Sequence, residues 1–269
     1  MTQKDDKDLF ADGDAYEHYV GRWSRPIGHM FVEWLSQPSS LCWADVGCGT
    51  GALTGIILEK ADPKSVVGVE PSAGFLGVAL ASIKDRRAEL RTGDAQSLPI
   101  ENRTVDVVVS GLVLNFVPDK IGALDEMCRI VKPGGVVAAY VWDYAGEMQL
   151  MRYFWNAVAD LFPEGAERDE GKQFPICNPA SLADLFGSIG LQKIETCALD
   201  APTVFVDFED YWSPFLRGQG PAGVYCVSLS EQDRDRLRTR LESTLPVNAD
   251  GTISLMARAW AIQGTAHTT

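Results

Sequence analysis

The hydrophobic pattern of this chain alternates between short, nearly unbroken apolar runs and longer stretches with helical spacing. The runs at 41–46, 66–69, 105–110 and 136–142 lack the in-out alternation of half-exposed strands, which predicts parallel strands buried on both faces. Further strands are predicted at 89–92, 191–199 and near 252–262. A helix is predicted over 120–131, with Ile121, Leu124, Cys128 and Val131 forming its core-facing stripe. Ahead of the first strand, Ser24 is placed to cap a helix with Pro26 in its first turn and Ile27, Met30, Phe31 and Trp34 on one side. Beyond Trp142 the pattern changes to a helical, aromatic-rich stretch over 145–177 and a helix over 179–189. Aromatic residues over 208–216, a Gly/Pro break at 218–221 and a charged helix over 231–245 separate the last two strands. The βα repetition predicts an α/β fold with a parallel sheet covered on both faces.

Candidate chemistry concentrates in Leu41-Cys42-Trp43-Ala44-Asp45-Val46-Gly47-Cys48-Gly49-Thr50-Gly51. An apolar run ending in an acid, three alternating glycines and a helical pattern from Ala52 read as strand, tight turn and helix start. In an α/β protein that is where a nucleotide-like cofactor is held. The spacing Gly47-x-Gly49-x-x-Ala52 also satisfies the dinucleotide fingerprint. Asp45 argues against a pyrophosphate: a carboxylate aimed into the loop suits an ammonium group and repels a phosphate. Neither the loop nor the seven positions after Gly51 carry a basic residue.

This segment resembles motif I of the class I S-adenosylmethionine-dependent methyltransferases, of the small-molecule, methyltransferase type 11-like kind. Further segments match in order. Ser65 to Glu70 reads as a second strand ending in an acid nineteen residues past Gly51, spaced to accept hydrogen bonds from ribose hydroxyls. Gly93-Asp94-Ala95 closes the next strand, and Val105 to Ser110 leads into Gly111-Leu112-Val113-Leu114-Asn115-Phe116. Glu126 to Gly135 resembles the helix end and turn before the fifth strand. The resemblance covers roughly residues 15 to 145.

The resemblance implies a Rossmann-like, doubly wound, seven-stranded and mostly parallel sheet, the last strand antiparallel, with helical cover insertions. It implies S-adenosyl-L-methionine as cofactor, bound by Asp45, Gly47, Cys48, Gly49, Glu70, Pro71, Asp94, Ala95 and Ser110. Asp94 would meet the adenine amino group and the Ala95 amide a ring nitrogen. The implied organisation is a flexible tail at 1–14 and a cofactor-binding core with an N-terminal arm at 15–144. A helical insertion at 145–178 and the rest of the sheet at 179–269, interrupted by helices near 207–247, follow.

Methyltransferases of this type often begin with a helix folded over the cofactor. Arg25 could then pair with the cofactor carboxylate, and Tyr19 pack against it or donate its hydroxyl. His18 is the only nearby candidate base. Asp106, inside a strand pattern, is read as structural. The expected reaction is in-line methyl transfer to a small molecule, which needs alignment and water exclusion more than a strong base. The alternatives are a methyltransferase acting on a macromolecule and an NAD(P)-dependent Rossmann oxidoreductase. The first lacks an NPPY-type sequence after strand four, where Ser110-Gly111-Leu112-Val113 stands. The second leaves Gly93-Asp94-Ala95 unexplained.

A net charge of −13 over 269 residues disfavours nucleic acid and anionic membranes as partners. No run reaches the roughly 18 apolar residues of a membrane span. Six cysteines without zinc spacing and only three histidines predict no metal site, and a cytoplasmic enzyme is expected.

Overall fold

The computed structural model describes residues 21–267. Seven strands form one sheet in the order β3-β2-β1-β4-β5-β7-β6. These are β1 (Cys42–Val46), β2 (Ser65–Glu70), β3 (Ala88–Thr92), β4 (Val105–Gly111), β5 (Val131–Trp142), β6 (Gln192–Phe205) and β7 (Ile253–Thr265). Parallel registers join β1 to β2 and β4, β2 to β3, and β4 to β5. The last strand runs the other way. Ala266 donates to the Gly135 carbonyl at 2.9 Å, and Asp143 to the Arg258 carbonyl at 2.9 Å, so partners fall in number on one strand as they rise on the other. A seven-stranded, mostly parallel, doubly wound sheet is thus the observed fold.

The chain forms two compact units. Of the described residues, one comprises Arg25–Val141, Ile176–Leu199 and 259–267; the other comprises 21–24, Trp142–Pro175 and Asp200–Arg258.

In the first unit, β1 lies between β2 and β4, and Trp43, Ala44 and Val46 are buried. Asp106 ties the lower edge together by accepting from the Cys42 amide at 2.9 Å and the Lys132 ammonium at 2.7 Å. Helix α1 (Arg22–Leu35) buries Ile27, Phe31, Val32 and Leu35 and leaves Met30 and Trp34 half-buried. It starts before Ser24, whose hydroxyl donates to the Gly21 carbonyl instead of capping. Pro26 is therefore the fifth helical residue rather than a first-turn one.

Helix α2 (Ala52–Lys60) follows the glycine loop, and α3 (Ala73–Ser82) is capped by Ser72, whose hydroxyl accepts from the Phe75 amide. Helix α4 (Lys120–Ile130) buries Ala123, Leu124, Met127 and Ile130, while Ile121 is 53 % exposed. The predicted stripe was rotated by about one residue. Asp119 caps the helix, accepting from the Gly122 amide. The Pro133-Gly134-Gly135 turn is absorbed into β5 as a bulge: Val105 pairs with Val131, but Val107 already pairs with Val136.

In the second unit, α5 (Gln149–Leu161) buries Leu150, Met151, Phe154, Trp155 and Val158. Phe154 stacks on Phe215 with ring centroids 4.5 Å apart, and Trp155 meets Tyr225 at 5.5 Å. The short helix α6 (Glu170–Gln173) brings the buried Glu170 carboxylate to the Trp155 indole N–H. Burial raises Glu170 from 4.5 to about 7. The Gly/Pro break becomes the start of a helix, because Pro221 occupies a first-turn position where its missing N–H costs nothing.

Candidate cofactor-binding site

The site grows from the end of β1. Val46 ends the strand, and the Gly47 and Cys48 amides both donate to the Val69 carbonyl of β2, at 2.8 and 3.1 Å. That folds the chain sharply back, and Gly47, Gly49 and Gly51 take left-handed φ values of 74°, 55° and 88°. The glycines differ in surroundings. A Cβ at Gly47 would lie 2.7 Å from both Val113 methyls, and one at Gly51 would lie 2.6 Å from Ile83 Cδ1. A Cβ at Gly49 would meet no atom within 4 Å. Gly47 thus packs against the segment after β4, whereas Gly49 borders open space.

Asp45 is 1 % exposed. Its Oδ2 accepts a 2.6 Å hydrogen bond from the Thr54 hydroxyl on α2, while its Oδ1 is buried with no partner. Desolvation, with a smaller push from Glu70, raises its pKa from 3.8 to about 7. Glu70 is also buried, and burial raises its pKa. Its Oε2 accepts from the Gly49 amide at 3.0 Å and its Oε1 from the Ser72 amide at 2.8 Å. The carboxylate therefore braces the glycine loop against the start of α3, and each oxygen keeps a further lone pair.

The remaining sequence candidates fall around this loop. Pro71 is exposed directly after Glu70. The Cys48 thiol is buried, and burial with two nearby carboxylates pushes its pKa up. Asp94 is exposed, with Oδ1 accepting from the Gln96 amide at 2.8 Å and from its side chain at 3.2 Å. Ala95, half-buried, lies in the same turn, closed by the Ser97 amide donating to the Asp94 carbonyl at 3.0 Å. Ser110 is buried and its hydroxyl donates to the Val46 carbonyl at 2.9 Å, clamping β4 to β1. Arg25 is on an exposed position of α1. Tyr19 and His18 lie outside the described residues.

Two groups escaped the sequence reading. Thr54 looks like any helical β-branched residue, and only the fold brings it to Asp45. Asn115, 3 % exposed in the single turn Leu114–Phe116 after β4, has a buried Nδ2 without a partner. A lone asparagine in an apolar run carries no motif. Among the described residues, no group of His, Cys, Asp or Glu is arranged to hold a metal ion.

A glycine loop after the first strand of a doubly wound sheet, with acids at the ends of β1 and β2, defines a nucleotide-type cofactor site at the carboxyl ends of the strands. Residues 44–139 match a family described as "Methyltransferase domain". Two demethylmenaquinone methyltransferases are similar in sequence. That of Lysinibacillus sphaericus (strain C3-41) is 29 % identical over 195 residues, covering 67 % of this chain and 80 % of the relative. That of Bacillus cereus (strain AH187) is 30 % identical over 170 residues, covering 56 % and 70 %. The fold is also that of Haemonchus contortus phosphoethanolamine N-methyltransferase 2, solved in complex with S-adenosyl-L-methionine. The TM-score is 0.59 at 19 % identity, over 99 % of this chain and 58 % of that one. The chain belongs to the class I S-adenosylmethionine-dependent methyltransferases.

The residues fit that cofactor. An unpartnered, buried carboxylate oxygen suits an ammonium group, and Gly49 leaves the loop open where a ligand would approach. A pyrophosphate would instead face two carboxylates.

Proposed function

We propose that this methyltransferase acts on a small molecule by in-line methyl transfer. The observation that carries the reading is the relatives' printed activity, demethylmenaquinone methylation, over two thirds of this chain. The chain's charge of −13, unsuited to a polyanion, supports it. The compartment we assign is the cytoplasm, in keeping with six free cysteines. Among the described residues no helix is long and apolar enough to cross a membrane.

The residue roles follow from chemistry. Asp45 Oδ1 accepts from the cofactor ammonium. The amides and open face of Gly47, Cys48 and Gly49 line its approach, and Glu70 offers its remaining lone pairs to the ribose hydroxyls beside Pro71. Asp94 and Ala95 take the adenine edge, while Ser110 holds β4 against β1 so that the loop keeps its shape. Arg25 and Tyr19 serve the carboxylate end from the arm, with His18 the candidate base. When bound, S-adenosylmethionine supplies an electrophilic methyl group on a sulfonium, and departure of a neutral thioether leaves the protein little charge to stabilise. The protein's task is then orientation and exclusion of water.

The test is transfer from cofactor labelled at the methyl group, in a cell extract supplemented with the purified protein. Label recovered in low-molecular-weight compounds supports the reading. Label confined to protein or nucleic acid refutes it.

A further inference from the structure

We infer that the Asn115 side-chain amide is a binding residue for the carboxylate of the cofactor's methionyl end, paired across the site with Asp45 for the ammonium. The inference rests on the cofactor assignment above and extends it to a residue no motif marks.

Asp45 Oδ1 on β1 and Asn115 Nδ2 just after the adjacent β4 are both buried without a partner. Their strands are joined in register, Asp45 opposite Val109, and clamped by the Ser110 hydroxyl on the Val46 carbonyl. The two segments also touch beyond the sheet, since Gly47 admits no Cβ against Val113, two residues before Asn115. The turn carrying Asn115 is held by the Phe116 amide on the Val113 carbonyl at 2.8 Å and by the Leu112 amide on the Tyr140 carbonyl at 2.8 Å. Leu112 takes a left-handed φ of 61° there, a conformation a leucine adopts only under constraint.

A buried amide without a partner is costly, and an acceptor on a ligand would meet it. One orphan atom is an anionic acceptor and the other a neutral donor, which matches the two ends of an α-amino acid zwitterion. Sheet order gives the rest of the ligand its direction. Asp94 follows β3 and Glu70 ends β2, on the far side of β1 from β4. Adenine and ribose on that side leave the β1–β4 side for the amino-acid end.

The test compares S-adenosylhomocysteine with 5′-methylthioadenosine, which lacks the amino-acid end, by calorimetry on the full chain. Asn115→Leu keeps the volume and removes the orphan amide. It should bind S-adenosylhomocysteine about 10-fold or more weakly, as for a lost charge-assisted hydrogen bond, with methylthioadenosine unchanged and an apo melting temperature at or above wild type. Asn115→Asp places a carboxylate opposite the ligand's own and should weaken the first ligand further. Equal weakening of both ligands would make Asn115 a support of the loop and overturn the inference. So would N115D binding as tightly as wild type, because the amide would then present its oxygen to the ammonium. If wild-type protein binds neither ligand, the cofactor site itself is misplaced, a failure separate from that of Asn115.

Discussion

Thr54 donates a 2.6 Å hydrogen bond to one oxygen of Asp45, and the other oxygen of that carboxylate, equally buried, meets nothing. Half of the Asp45 carboxylate is thereby fixed by the protein and half is left without a partner. Replacing Asp45 with Ala should weaken cofactor binding by about 1–3 kcal/mol through the lost charge-assisted bond. Titration calorimetry with S-adenosylhomocysteine checks this, and an unchanged affinity would remove Asp45 from the site.

The same geometry ties the site to pH. Burial raises Asp45 from 3.8 to about 7, so between those values the folded apo protein holds a proton that the unfolded chain has released. The stability this contributes is complete below the unfolded pKa and is lost as pH rises through about 7. Glu170 acts with the same sign over the same window, rising from 4.5 to about 7. Denaturant unfolding between about pH 5 and pH 8 should therefore show apo stability falling with pH, and Asp45→Asn should flatten that slope without abolishing it. A wild-type slope that is flat or rising would contradict the buried state of both carboxyls.

Binding of a cationic group to Asp45 favours the ionised carboxylate and must expel its proton wherever the apo form is protonated. At about pH 6, calorimetric enthalpies of S-adenosylhomocysteine binding should depend on the ionisation heat of the buffer, and that dependence should fade by about pH 8.5. Identical enthalpies in all buffers at the lower pH would mean the ammonium does not engage Asp45.

Much of the frame was legible in the sequence because its signals are local. Four near-continuous apolar runs marked β1, β2, β4 and β5, and the glycine loop with its spacing to Glu70 located an acid near the end of each of the first two strands. Phase within helices was harder. Ile121 fits the apolar spacing of α4 as well as Met127 does, and only packing in the fold shows that Met127 faces the core while Ile121 does not. Strand ends were also misjudged where a bulge intervenes. Pro133 to Gly135 read as a turn but stay within β5, where Ala266 and His267, just past β7, pair with Gly134 and Gly135. Thr54 and Asn115 had no signal at all, because what singles them out is a long-range neighbour in one case and the lack of one in the other.

The three loop glycines should separate folding from binding. All have φ values that cost a side chain about 1–2 kcal/mol. At Gly47 an alanine Cβ would also collide with Val113 at 2.7 Å, so Gly47→Ala should lower stability by more than that strain, and Val113→Ala should partly restore it. At Gly49 the Cβ meets no protein atom within 4 Å, so Gly49→Ala should cost only the backbone strain. Its methyl group would nonetheless stand where the loop must admit a ligand, and affinity for S-adenosylhomocysteine should drop by about 10-fold or more. Thermal melting and calorimetry on the same three variants decide the matter. Gly49→Ala with normal affinity would show that the open side of the loop is not where the cofactor lies.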